Sequence, residues 1–448
     1  MSASQATSDG AVPMSKLDIR NMGLITLGHS LTHWYPATFF MLLPLIGNEM
    51  GLSYSQIGFI MTCQYAAGAL SNVPGGMLVD VWGKKGQLMA LSLFWVGFPY
   101  LMMGFSSQYW MLLICVMLVG IGNNLWHPTA IPLLGSMFPK RKGLALSLHG
   151  MGGNVGDALA PLAVGALLTT LSWREIVVLN VVPGAAMSML ILFFLGTMTF
   201  APKPKAKPSV EVNDANSATA ATAATAATAA TAATAATAAT AADSKGQSMG
   251  SYVAGLRTLM KTPGLFLLTL SSGFRSMTQG TLLTFLPLYL ANEMHYNVFW
   301  VGAGMALLQL TGFIAAPIAG HLSDTMGRKN ILMVSFGMSG AVLLLMTFAG
   351  GSPWFVFLIA VLGFFLYAAR PIMQAWMLDA TPKNMGGTAI GLMFGMQSGA
   401  QAIAPILGGI VADQYGLLAA FYLLAATIII ANILVVWIPA HSKEDSHA

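Results

Sequence analysis

Ionisable and amide side chains recur at helical spacing inside stretches that are otherwise apolar. His29 and His33 are four residues apart, as are Asn123 and His127, Arg275 and Gln279, Arg370 and Gln374, and Gln397 and Gln401; Asn154 and Asp157 are three apart. Each pair therefore shares one face of its helix. An ionisable group at bilayer depth costs about 2.5–3.5 kcal/mol even on the lenient insertion scales, so such groups face a cavity or a partner. Asp157 is the one carboxylate well inside an apolar run, which makes it the candidate for proton coupling. His29, His33 and His127 are further candidates, because imidazole titrates near neutral pH. Arg275 and Arg370 are fixed cations whose forks suit carboxylate or phosphate. More cations than anions in a shared cavity point to an anionic or zwitterionic small molecule. His29 and His33 also have a helical metal-ligand spacing. The arginines would repel a divalent cation and no Cys or carboxylate nearby completes a shell, so no metal site is expected, and no cofactor beyond a coupling proton.

These groups must be held by membrane-spanning helices. The chain has 448 residues, 56% hydrophobic and only 8% charged, with a mean hydropathy of +0.71. A soluble domain carries roughly 25% charged residues, and a disordered one is low in hydrophobicity, so both classes are excluded. Apolar runs of the roughly 20 residues needed to cross the hydrocarbon fall at 22–46, 56–79, 87–105, 110–135, 144–169, 176–200, 264–290, 298–322, 330–349, 354–378, 387–411 and 417–438. They form two groups of six. The fold expected is an all-α polytopic membrane protein with two six-helix bundles, 22–200 and 263–439. Cytoplasmic tails are expected at 1–21 and 440–448. The first twenty residues lack the pattern of a cleaved signal, so the first helix is expected to act as an uncleaved insertion signal. Cys63 and Cys115 lie within apolar runs and suggest no disulfide framework.

Residues 201–262 read as a cytoplasmic low-complexity linker. Its threonines recur every third residue from Thr219 to Thr240, a period that drifts about 60° per repeat around a helix and leaves no apolar face. Charge sets the orientation. Seventeen of the 20 Lys and Arg residues fall in segments on the side of residue 1, Arg174 falls opposite, and Arg275 and Arg370 fall within spans. This bias places both termini inside, in the cell membrane. The net charge of +5 is dispersed in small groups, which does not suit a nucleic-acid face.

The two groups of six are copies. Asp80 and Asp324, Gly83 and Gly327, Gly58 and Gly302, Glu49 and Glu293, and Pro161 and Pro405 are each 244 apart; Pro44 and Pro287, and Pro128 and Pro371, are 243 apart. Copies of six spans each share one orientation, a parallel repeat about an axis along the membrane normal. One loop is duplicated closely: Gly76, Asp80, Gly83, Lys84 and Lys85 recur as Gly320, Asp324, Gly327, Arg328 and Lys329. Its small residues allow close helix approach. Its acids can pair with bases or a helix N-terminus in one conformation and release them in another. Gly152, Gly153 and Gly156 ahead of Pro161, and Gly399 ahead of Pro405, read as small-residue helix contacts beside kinks.

Twelve spans in two parallel repeats with this doubled loop resemble the major facilitator superfamily. Gly28-His29, the run Gly120-Ile121-Gly122-Asn123-Asn124-Leu125-Trp126-His127-Pro128, and Leu148-His149-Gly150-Met151-Gly152-Gly153-Asn154-Val155-Gly156 resemble its fosmidomycin-resistance efflux branch. That branch has acidic residues where this chain carries His33 and Thr129. The resemblance implies a secondary transporter working by alternating access, a proton antiporter exporting a small organic compound or drug, expected to be a monomer. A proton-coupled importer of an organic anion is the alternative, ahead of a metal-ion transporter or a membrane sensor. An ATP-driven pump is unsupported, since no Gly-x-x-x-x-Gly-Lys-[Ser/Thr] loop occurs, and no enzyme constellation stands out.

Overall fold

The computed structural model describes residues 15–138, 141–197, 257, 260–350, 352–381 and 386–439. Most of the expected linker, and the tail 440–448, lie outside the described residues. The first half contains α1 (Lys16–Met50), α2 (Tyr54–Trp82), α3 (Lys85–Gly104), α4 (Tyr109–Asn124), α5 (Trp126–Met137), α6 (Lys142–Leu167), α7 (Trp173–Leu179) and α8 (Val181–Leu195). The second contains α9 (Pro263–Leu288), α10 (Val298–Met326), α11 (Arg328–Phe348), α12 (Trp354–Asp379), α13 (Gly386–Tyr415) and α14 (Leu417–Val436). Helices α4 and α5 form one pass broken at Leu125, and α7 and α8 another broken at Asn180. The described residues thus make the twelve passes expected, with no strand. A π-helical turn, Tyr289–Glu293, extends α9; there the Met294 N–H donates to Tyr289 O at 3.0 Å.

Local chemistry sets the helix ends. Ser15, Ser53 and Ser172 each form a capping box, with Asp18, Gln56 and Glu175 returning the bond to the cap backbone. Gly51 and Gly83 close α1 and α2 at φ of 62° and 68°, a left-handed conformation that glycine reaches without a Cβ penalty. The 35 residues of α1 rise about 52 Å, more than the roughly 30 Å hydrocarbon core. Its last turn, with Glu49, therefore lies beyond the apolar stretch.

Exposed apolar side chains such as Leu70, Phe193, Phe348 and Trp354 cover the outside of the bundle, a surface suited to lipid rather than water. Among the described residues, eight of the passes are apolar enough to be read as spans by composition alone. The four that fall short are α1, α2, α6 and α9. Three of these carry His29, His33, His149, Asp157 and Arg275, while His127 on α5 and Arg370 and Gln374 on α12 belong to passes that remain apolar overall.

Across the halves, α2 packs on α13 and α6 packs on α10. The two seams are built from copied residues. A Cβ on Gly58 would collide with the carbonyl of Pro405, and one on Gly302 with that of Pro161. Both contacts lie toward the face opposite the termini, here the far face. Nearby, Asp413 at the end of α13 accepts hydrogen bonds from the backbone N–H of Tyr54 (2.7 Å) and Ser55 (2.9 Å) and from the Ser55 hydroxyl. One half thus caps a helix of the other.

On the terminus face, Arg328 pairs with Asp324 at 2.6 Å and Asp379 at 2.9 Å and donates to Ser323 Oγ at 3.0 Å. Lys329 donates to the carbonyls of Val436 and Ile438 that close α14, at 2.8 and 2.7 Å. In the first copy of this loop Lys84 is exposed and Lys85 half-buried. The side chain of Asp80 and the surroundings of Gly76 lie outside the described residues. One glycine departs from expectation: a Cβ on Gly399 would meet open space, so it mediates no close helix contact.

Candidate functional site

Glycines bring the polar face of α6 onto α1. A Cβ on Gly152 would collide with Thr26 O, and one on Gly156 with Ser30 O. A Cβ on Gly153 would stand 2.8 Å from His29 Cε1 and 2.9 Å from His33 Nε2. Residues 149, 153 and 157 follow one another at four-residue intervals, so the same stripe carries His149 and Asp157 to the two histidines of α1.

A connected cluster results. His33 Nδ1 donates to Asp157 Oδ2 at 2.9 Å, both side chains being about one-quarter exposed (28% and 27%). His29 Nδ1 lies 2.6 Å from the carbonyl oxygen of His149, and its Nε2 lies 3.1 Å from His127 Nε2. The His149 ring stacks on His29 with centroids 3.9 Å apart, and Trp126 lies parallel beyond it. His127 is placed by the break at Leu125, which starts α5 at Trp126 and turns its first residues inward. Trp126 also fills the space left by Gly28.

The second half contributes cations. Arg275 on α9 is 2% exposed; its Nη2 donates to Leu366 O at 3.3 Å, and its guanidinium lies 5.9 Å from the Tyr367 ring centroid. Its Nε and both amide atoms of Gln374 are buried without a protein partner. Leaving such an atom unmatched costs about 1–3 kcal/mol, so these groups are arranged for something other than the protein. Arg370, at mid-span of α12, is solvent-exposed although surrounded by helices, which places it on an open vestibule. Gly395 and Gly399 on α13 likewise face open space, whereas Gly408 and Gly409, nearer the far face, press on Phe285 and Tyr54. Of these, Gly409 meets Tyr54 across the halves, so with Gly58 on Pro405 and Gly302 on Pro161 the halves close on one another toward the far face.

Asp157 of the first half lies within electrostatic reach of Arg370 and Tyr367 of the second. Of the residues expected to share a site, His29, His33, His127 and Asp157 form one group and Arg275, Arg370 and Gln374 another, facing each other across the halves. Gln401 on α13 packs beside α9, its Cγ 3.3 Å from where a Cβ on Gly280 would stand. Asn123 has a buried Oδ1 without a partner. Asn154 is exposed and Gln397 half-buried, and no hydrogen bond among the described residues ties them to either group. Three side chains of the site are not singled out by the sequence pattern: His149 against His29, Tyr367 beside Arg275, and Tyr65, within electrostatic reach of Tyr367 and Asp157. His149 was legible from its eight-residue separation from Asp157, two turns along one face. The tyrosines belong to amphipathic side-chain types that core packing also uses, so their position required the fold.

The sequence pattern of the Major Facilitator Superfamily matches residues 24–315 and 265–448. The chain is 24% identical to the probable sulfoacetate transporter SauU of Cupriavidus necator over 388 residues, 83% of this chain and 82% of that protein. It is 36% identical to the multidrug resistance protein MdtG of Serratia proteamaculans over 180 residues, 37% and 43% of the two chains. Among solved structures, a bacterial homologue of the human lysosomal transporter Spinster, in an inward-facing and unoccupied conformation, superposes with a TM-score of 0.71 at 15% identity. It covers 95% of this chain and 96% of that one.

Proposed function

The chain belongs to the Major Facilitator Superfamily of secondary transporters and is not an enzyme; we propose that it carries a small organic anion across the cell membrane by alternating access, exporting it in exchange for protons. The observation that carries this reading is the exposure of Arg370 at mid-span, within electrostatic reach of Arg275, together with the unmatched buried polar atoms of Arg275 and Gln374 in the same half. Fixed guanidinium forks in a low-dielectric recess select planar anionic groups over neutral ones. The likeness to a sulfoacetate transporter, an organic-anion carrier by its name, agrees with this chemistry. The partial likeness to a multidrug resistance protein supports export.

Coupling is assigned to Asp157, the anionic group at mid-span of the half that faces the arginines. With the basic segments on the cytoplasmic side, the closed far face is the outer one, and the vestibule opens inward. Thermal-shift screening of the purified protein tests the substrate class, since ligands that bind the folded state raise its melting temperature. Carboxylates and sulfonates are expected to raise it where their amide or alcohol analogues do not. A panel in which only neutral or cationic compounds stabilise the protein rejects the reading.

A further inference from the structure

We propose that His29, His33 and His127 form a binding site for a divalent first-row transition-metal ion of the zinc type. One ring nitrogen from each of the three lies within 4.8 Å of the other two, on α1 and on the first turn of α5, in one half of the molecule. The hydrogen bonds fix which nitrogens are free. His29 Nδ1 faces a carbonyl oxygen, which can only accept, so that nitrogen carries the proton and Nε2 holds a lone pair. His33 Nδ1 faces the Asp157 carboxylate, so its Nε2 is likewise the lone-pair atom. Two imidazoles oriented through Nδ1, one by a carbonyl and one by a carboxylate, have the outer support that metal-ligating histidines use.

The lone pair of His29 Nε2 points at His127 Nε2, 3.1 Å away. Only a proton or a cation between them makes that approach favourable. Nitrogens bound at about 2.0–2.1 Å to one tetrahedral ion stand about 3.3 Å apart, close to this separation, and a shift of the partly exposed His33 ring closes the third side. Three neutral nitrogens with one open position suit Zn2+, Co2+, Ni2+ or Cu2+ and not a hard oxygen-seeking cation. The negative charge of Asp157 behind His33 offsets part of the ion's charge. The fold thus supplies the third ligand that the spacing of His29 and His33 lacked.

The test uses the full-length protein in detergent, titrated with Co2+ as the probe. One ion per chain is expected, with the visible ligand-field band of a tetrahedral site, displaced by Zn2+ and abolished by chelator. His29→Gln and His127→Gln are expected to lose at least about tenfold in affinity, Asp157→Asn to weaken binding about tenfold or more through His33, and His321→Gln, exposed on α10, to leave it unchanged. Melting curves verify that each variant folds; His33→Gln, partly exposed, replaces any that does not. Folded wild-type protein that binds no Co2+, or folded His29→Gln and His127→Gln variants that bind it as tightly as the wild type, overturns the proposal and assigns the 3.1 Å contact to a proton. Metal binding is read without transport, so the anion-carrier reading can fail while this site stands, and the reverse.

Discussion

Asn48 and Asn292 hydrogen-bond to one another across the halves, the amide nitrogen of Asn48 donating to Asn292 Oδ1 at 3.3 Å. They are 244 residues apart, the interval of the internal repeat. Two copied residues can touch only where the axis relating the copies passes, so this bond marks that axis at the far face. Gly58 against Pro405 and Gly302 against Pro161 flank it as a reciprocal pair. Gly58→Ala is therefore expected to destabilise the closed far face by about 1–3 kcal/mol, the range for overpacking a tight contact. Thiol labelling from the far side, in an Asn292→Cys background with and without Gly58→Ala, is expected to be faster with alanine. Equal labelling would show that the seam is not a closure.

Asp157→Asn keeps the shape of the side chain and removes its charge. In proteoliposomes with an imposed pH gradient it is expected to abolish gradient-driven transport while substrate binding changes less than about threefold, below the tenfold that about 1.4 kcal/mol represents. Undiminished gradient-driven uptake by the variant would move the coupling elsewhere, with His33 the next residue to replace.

Arg370→Ala is expected to weaken binding of an anionic ligand by about 10–100-fold, the equivalent of roughly 1.5–3 kcal/mol for a hydrogen bond to a charged group, and to leave a neutral analogue within about twofold. Titration calorimetry on the purified variant distinguishes this from a structural role, in which both ligands would lose equally.

Gly156→Ala places a methyl group against Ser30 O, and backbone cannot yield as a flexible side chain does. A loss of about 1–3 kcal/mol of stability is expected, seen as a lower melting temperature. Gly399→Ala, facing open space, is expected to raise helix stability by up to about 1 kcal/mol. The two substitutions should move the melting temperature in opposite directions.

Beyond the apolar stretch of α1, Glu49 accepts hydrogen bonds from Trp173 Nε1 and from Arg174 at 2.7 Å. The Trp173 bond and then the Arg174 bond hold its carboxyl below the usual range. Because the folded form binds the proton less readily, the contribution is present above the ordinary carboxylate value of about 4.3 and is lost as pH falls through the lowered value. Half-exposed, the pair is expected to be worth at most about 1 kcal/mol. Glu49→Gln should lower the melting temperature at pH 7, and the difference should vanish in acid.

The helices were readable because most passes are long apolar runs, and several of them end at a serine capping box or a left-handed glycine. The polar face was readable for the same reason: a charged group in hydrocarbon has few alternatives to an interior position. What local pattern could not supply was pairing between distant helices. His127 joins His29 only because the chain breaks at Leu125, and nothing in a run of apolar residues announces that break. Asp157 could have met either arginine by charge alone; its partner at hydrogen-bond distance is His33, which α6 reaches through the glycines at 152, 153 and 156. Gly399 occupies nearly the same place in the second copy, yet no helix presses upon it.

The π turn at Tyr289–Glu293 falls where the register between the copies changes. Pro44 and Pro287 are 243 apart, Asn48 and Asn292 are 244, so the second copy gains a residue between 287 and 292. A ring closed from i to i+5 is a helical turn holding one residue more than usual. Had the extra residue been wound into regular α-helix, everything after it would be turned by about 100°, and Asn292 would point away from its twin. The widened turn absorbs a one-residue lengthening on the spot, so two halves of unequal length still meet face to face.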